Sequence, residues 1–193
     1  MSGYQRLRLI LGDQLNASHS WFRENNPQTL YVIAEMHQET RYCRHHIQKL
    51  CAFFAAMDAF ARALQQAGHE VLHLTLDDTV DDPDFPALLS RLCRDYDIRE
   101  LEYQQPDEYR LAQQLAEDRL PDGVVRRVVD SEHFLLPFEE IPDYFRPGKA
   151  QKMEFFYRKL RRRFGILMDG PNGDEPRGGR WNFDSENRQS LRS

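Results

Sequence analysis

Two short stretches carry the side chains best suited to hold a small molecule. The first is Gly12-Asp13-Gln14, directly after the apolar run Leu9-Ile10-Leu11. The second follows Leu30-Tyr-Val-Ile-Ala34 and contains Glu35, Glu39, Tyr42, His45 and His46. Carboxylates and imidazoles can hydrogen-bond a polar heterocycle, and a tyrosine ring can pack on it. The alternative for the first stretch is a strand-ending turn in which Asp13 caps local amides. For the second it is an ordinary polar helix start, with His46 partly packed. Neither stretch is a dinucleotide fingerprint, which needs G-x-G-x-x-G, and no G-K-[ST] phosphate loop is present. Cys43, His45 and His46 match no standard zinc spacing, and adjacent side chains on a helix diverge, so no metal site is assigned. There is no G-x-S-x-G elbow and no convincing hydrolase triad, so no residue is assigned a catalytic role. Cys51 and Cys93 both fall among apolar neighbours at helical spacing and are expected to be inert core thiols.

Two further stretches are ambiguous. Pro106-Asp107-Glu108-Tyr109-Arg110 is either one wall of a pocket or simply a capped helix start. Near the C-terminus, Arg158, Lys159, Arg161, Arg162 and Arg163 lie close to Tyr157, Phe164 and Trp181. Such a run can neutralise phosphates of DNA or RNA. It can equally be a solvated helix face, or a helix resting on an acidic neighbour.

The elements that would hold these residues follow from periodicity. Arg6–Leu11, Leu30–Ala34, Glu70–Leu76, Arg99–Tyr103 and Val124–Val129 read as five strands. Between the second and third, Ile47, Leu50, Cys51, Phe54, Ala61 and Leu64 recur at helical spacing, and Phe53, Met57 and Phe60 widen the face. The spacing predicts a well-buried helix ended by Gly68. Asp82-Pro83 suits a helix start before Phe85, Leu88, Leu89 and Leu92, and another helix carries Leu111 and Leu115. Alternation of strand and helix implies βαβ units and a parallel sheet, with residues 13–29 only partly helical. In such sheets ligands bind beyond the carboxyl ends of the strands, where Gly12 and Glu35 fall. After Val129 the pattern breaks. Residues 130–148 read as a proline-rich loop, 149–164 as a basic amphipathic helix, and the rest as turns.

The chain has 193 residues, of which 40% are hydrophobic and 30% charged. That is enough apolar material for one α/β domain with an appendage, and excludes a predominantly disordered chain. No apolar run approaches the roughly 20 residues that span a bilayer, so no membrane partner is expected. The start reads as a strand rather than a secretory signal, and three cysteines suit a reducing cytoplasm. The net charge of −5 is unevenly spread. Residues 1–148 hold 15 basic and 25 acidic side chains, and residues 149–193 hold 11 and 6. Acidic body and basic tail suggest an anionic partner for the tail, or docking of the tail on an acidic surface.

Three stretches together resemble a known family: LILGDQL (Leu9–Leu15), ETRYCRHH (Glu39–His46) and MEFFYRKLRRRFGILMDG…GGRWNFDSENRQ (Met153–Gln189). They are similar to the N-terminal region of the iron–sulfur bacterial cryptochromes and prokaryotic 6-4 photolyases, the deoxyribodipyrimidine photolyase-related proteins. The resemblance implies a flavodoxin-like (Rossmann-like) α/β domain over residues 1–130, a five-stranded parallel sheet with helices on both faces. A loop, basic helix and interdomain linker would follow over 131–193. It implies an antenna, 6,7-dimethyl-8-ribityllumazine, that collects near-UV or blue light for FAD-driven repair of pyrimidine photoproducts. Leu11, Gly12, Asp13, Gln14, Ala34, Glu35, Glu39, Tyr42 and His45 match the antenna pocket. Gly12 would let a ring approach the backbone, Asp13 and Glu39 would accept its hydrogen bonds, and Tyr42 would pack on it. Arg158, Arg161, Arg162 and Arg163 would lie near damaged DNA or the FAD domain. In the family, FAD and a 4Fe–4S cluster sit in a helical domain for which this chain has no counterpart before Ser193. An N-terminal fragment that does not itself repair DNA is therefore expected. Two rival readings remain: an independent nucleotide- or small-molecule-binding module of the same fold, and a nucleic-acid-binding protein acting through its tail.

Overall fold

In the computed structural model, residues 3–117, 119–170 and 172–183 are described. Five strands form one parallel sheet: β1 (Arg6–Ile10), β2 (Thr29–Ala34), β3 (Glu70–Leu74), β4 (Glu100–Gln104) and β5 (Val125–Val129). Their order is β3-β2-β1-β4-β5. The expected flavodoxin-like, Rossmann-like α/β arrangement is present. The chain works outward from β1 to β3, then crosses to β4 on the other side, so the switch point lies between β1 and β4.

Helices cover both faces because alternate residues of each strand point to opposite sides. Leu7, Leu9, Leu30, Val32, Leu101 and Tyr103 face α3 (Phe85–Asp95) and α4 (Tyr109–Leu115) in one core. Ile10, Tyr31 and Ile33 face Met57, Ala61 and Leu64 of α2 (Ile47–Gln66) and the Trp21 turn in the other. The second face also buries a polar knot. Arg8 donates to Glu102 (2.7 Å) and to the Tyr31 hydroxyl (2.9 Å), and that hydroxyl donates to the Trp21 carbonyl (2.7 Å). A buried arginine is tolerable only when paired in this way.

Several expectations need correcting. α2 is not well buried along its length: its buried residues are Met57, Ala61 and Leu64, all in the C-terminal two-thirds. Ile47, Phe53 and Cys51 are exposed, so Cys51 is not a core thiol. The first half of α2 faces the cleft described below instead of the sheet. The helix start at Asp82-Pro83 is displaced. The buried Asp82 carboxylate accepts two bonds from the partly exposed Arg91, at 2.6 and 3.2 Å, and Asp84 caps α3 by accepting from the Ala87 N–H at 2.8 Å. The polar stretch after β2 contains a short helix, α1 (His37–Arg41), while residues 13–29 hold only a 3-10 turn, Ser20–Phe22.

The chain divides into two compact units, Met1–Phe134 and Leu135–Ser193. In the second, the stretch read as a loop contains a 3-10 turn (Phe138–Glu140) and α5 (Ile141–Tyr144). α6 (Met153–Phe164) ends at left-handed Gly165 (φ 63°), and a two-residue hairpin follows, β6 (Met168–Asp169) with β7 (Glu175–Pro176). Residues 184–189 of the GGRWNFDSENRQ stretch lie outside the described residues. No helix among the described residues is long and apolar enough to cross a membrane.

Candidate functional site

β1 and β2 are adjacent and parallel, with Ile10 beside Ile33, so the segments after them emerge at the same end of the sheet. There they line a cleft of about 260 Å³. Leu11, Gly12 and Asp13 come from the loop after β1, and Ala34, Glu35, Glu39, Tyr42 and His45 from β2 and the stretch after it. The two sequence stretches thus meet in space. Glu108 and Leu111, from the start of α4, complete the opposite wall.

Gln14 is the exception among the nine expected residues. It is 1% exposed and does not line the cleft. Its side-chain oxygen accepts from the Leu11 N–H, and its amide donates to the Gln104 and Gln105 carbonyls, each at 3.3 Å. It ties the β1 loop to the end of β4. At Gly12 a Cβ would stand 3.0 Å from the Met57 sulfur, so the missing side chain lets α2 pack close against this loop.

The carboxylates differ in availability. Glu35 is largely buried; one oxygen accepts from the Leu76 N–H at 3.2 Å, and the other faces His73 at 3.6 Å. Glu39 accepts from Arg110 through both oxygens, at 3.0 and 2.9 Å, and from Gln38 at 2.7 Å. That uses three of the roughly four acceptor positions of a carboxylate. Asp13 lies at an open rim, yet its pKa is raised, chiefly by desolvation and further by the facing Asp107 and Glu108. Tyr42 is 54% exposed, with the Arg110 guanidinium 4.7 Å from its ring centre and the His45 ring edge-on at 5.0 Å. His45 also lies 3.4 Å from the Lys49 ammonium.

Much of the apolar lining was missed by sequence reasoning: Met36, Phe53, Phe54 and Phe85, with Lys49 as the cleft's lysine. One signal was available. Phe53, Phe54, Met57 and Phe60 make the apolar sector of α2 wider than one sheet contact needs, and the surplus faces the cleft. Among the described residues no group of His, Cys, Asp and Glu is arranged to hold a metal ion.

The four arginines expected near nucleic acid lie in the second unit, each with a partner there. Arg161, 6% exposed, donates to the Ile166 and Leu167 carbonyls. Arg158 pairs with Glu154, and Arg163 with Glu140 and the Tyr144 hydroxyl. Arg162 lies over the Trp181 ring at 4.7 Å, with Arg158 and Arg161 at 5.3 and 5.2 Å. An apolar hollow of about 840 Å³ lies beside them, lined by α6 and by Leu167, Gly178, Trp181 and Phe183.

A family profile described as deoxyribodipyrimidine photo-lyase-related protein matches residues 8–193. A (6-4) photolyase of Agrobacterium fabrum is 34% identical over 188 residues, which cover 97% of this chain and 36% of that protein. The chain therefore spans about a third of the length of that relative. An uncharacterised protein of Acanthamoeba polyphaga mimivirus is 26% identical over 172 residues, 84% of this chain and 83% of the viral protein.

Proposed function

The chain belongs to the deoxyribodipyrimidine photolyase-related family, and from that premise we propose that its first unit binds an antenna chromophore, 6,7-dimethyl-8-ribityllumazine. The observation that carries this reading is the meeting of the β1 loop and the β2–α2 connection in one cleft with aromatic and carboxylate walls. The residues present suit such a group. Tyr42 and Phe53 offer ring faces to a flat heterocycle. Asp13, Glu108 and the remaining acceptor position of Glu39 offer oxygens to ring N–H groups or ribityl hydroxyls. When bound, the lumazine would supply absorption of near-UV or blue light and transfer of that energy. The protein's part is to orient the ring and exclude water from it.

The activity of the whole protein belongs to the same proposal. FAD and a 4Fe–4S cluster would be held by a helical domain outside this chain, and damaged DNA of the (6-4) type would be its substrate. The charge of the cleft favours this reading over a nucleotide module. Asp13, Glu35, Glu39 and Glu108 line it against Lys49, a poor environment for phosphates. The engaged arginines of the second unit likewise weigh against a tail-driven nucleic-acid protein.

Fluorescence titration of the purified chain with the lumazine tests the reading. Saturable binding of one equivalent is expected. Glu39→Ala with Tyr42→Ala should weaken it at least about tenfold while the circular dichroism stays unchanged. Absence of saturable binding, or tighter binding of an adenine nucleotide, overturns it.

A further inference from the structure

Helix α1 has five residues, none buried, and its N-cap residue Met36 makes no side-chain cap bond. One turn of helix does not hold itself together in water. Yet α1 and the residue after it carry Glu39 and Tyr42, which form one wall of the cleft mouth. Something outside α1 must hold them.

The ties run to α4 and its lead-in, on the opposite wall. Arg110 donates to both Glu39 oxygens at 3.0 and 2.9 Å, and its guanidinium lies 4.7 Å from the Tyr42 ring centre. The same guanidinium is fixed from behind by Glu108, at 2.8 and 3.0 Å. One helical turn further along α4, Gln114 and Gln38 exchange two amide hydrogen bonds, at 3.1 and 3.0 Å. The planar fork serves both carboxylates and lies against the ring at once, a geometry that a lysine ammonium reproduces only in part.

We propose that Arg110 is the positioning residue of this cleft and that, with the Gln38–Gln114 pair, it latches α1 to α4 across the mouth. The latch presents Tyr42 to the cleft and leaves Glu39 a single acceptor position facing it. Its effect on binding rests on the chromophore reading above, whereas the latch itself does not.

Hydrogen–deuterium exchange of the full chain without ligand reads the latch directly. Arg110→Gln should speed exchange of residues 38–44 about tenfold, the loss of one charge-assisted tie, and leave residues 57–64 of α2 unchanged. Gln114→Ala and Arg110→Lys should act in the same direction but less, and stand in for Arg110→Gln if that variant does not fold. Lumazine titration reads the positioning. Arg110→Gln and Glu39→Gln should each weaken binding about tenfold, and the double variant should lose clearly less than the product of the two, because both remove the Arg110–Glu39 tie. Unchanged exchange overturns the latch whether or not lumazine binds. Faster exchange with unchanged affinity, or additive losses in the double variant, overturns the positioning role. Failure of the unaltered chain to bind lumazine overturns the chromophore reading, and the exchange result still decides the latch.

Discussion

Among single residues, the cysteines show how strongly environment outweighs identity. Cys51 sits at helical spacing among apolar neighbours and reads as core, but is exposed: it belongs neither to the buried residues of α2 nor to the cleft lining. Cys43 is exposed as well, whereas burial pushes the Cys93 thiol up to about 11. An aromatic disulfide reagent at pH 8 should therefore titrate two thiols quickly in the native protein and the third only after unfolding. Three fast thiols would contradict the placement of Cys93 in the α3 core. Gln14 gives the same lesson in the other direction: a residue in a cleft-lining loop can serve the loop and not the cleft.

At the level of elements, α3 shows how a start signal can be displaced by a salt bridge. Asp82-Pro83 has the right residue types to begin a helix, but Arg91 takes the Asp82 carboxylate. Asp84 then caps the helix at Ala87, with Pro86 in the first turn. Asp84→Ala should lower unfolding stability by about 1 kcal/mol, read from the urea midpoint. The Asp84–Arg119 pair is partly exposed and adds little to that figure. A change below about 0.3 kcal/mol would mean that the Asp84 hydrogen bond does not cap the helix. The parallel sheet makes the element order matter for the site. Only because β2 adjoins β1 and β4 lies on the other side do three separate loops converge on one cleft.

For the molecule as a whole, the charges at the two sequence-predicted regions find partners close by. Asp13, Glu35, Glu39 and Glu108 line the cleft of the acidic first unit, and Arg158, Arg161, Arg162 and Arg163 of the basic second unit engage carbonyls, acids and Trp181 of that unit. Arg161→Ala strands the Ile166 and Leu167 carbonyls and should cost the second unit about 1–3 kcal/mol. Lumazine affinity should not change, since every residue lining the cleft belongs to the first unit. Thermal melting and the titration, run on the same variant, check both halves. An affinity loss would show that the units communicate.

Local pattern in the chain sufficed for the class of fold and for the existence of the five strands. Period-two and period-3.6 hydrophobicity report what each segment buries, and a strand that ends in Gly12-Asp13 announces its loop without reference to any partner. Pairings between loops had no such signature. Arg110 stands 71 residues from Glu39, and nothing near either one names the other. Which face of α2 meets the sheet, which aspartate caps α3, and which arginine steadies the cleft mouth depended on strand order and register. These bring distant side chains within hydrogen-bond reach only after the sheet has formed.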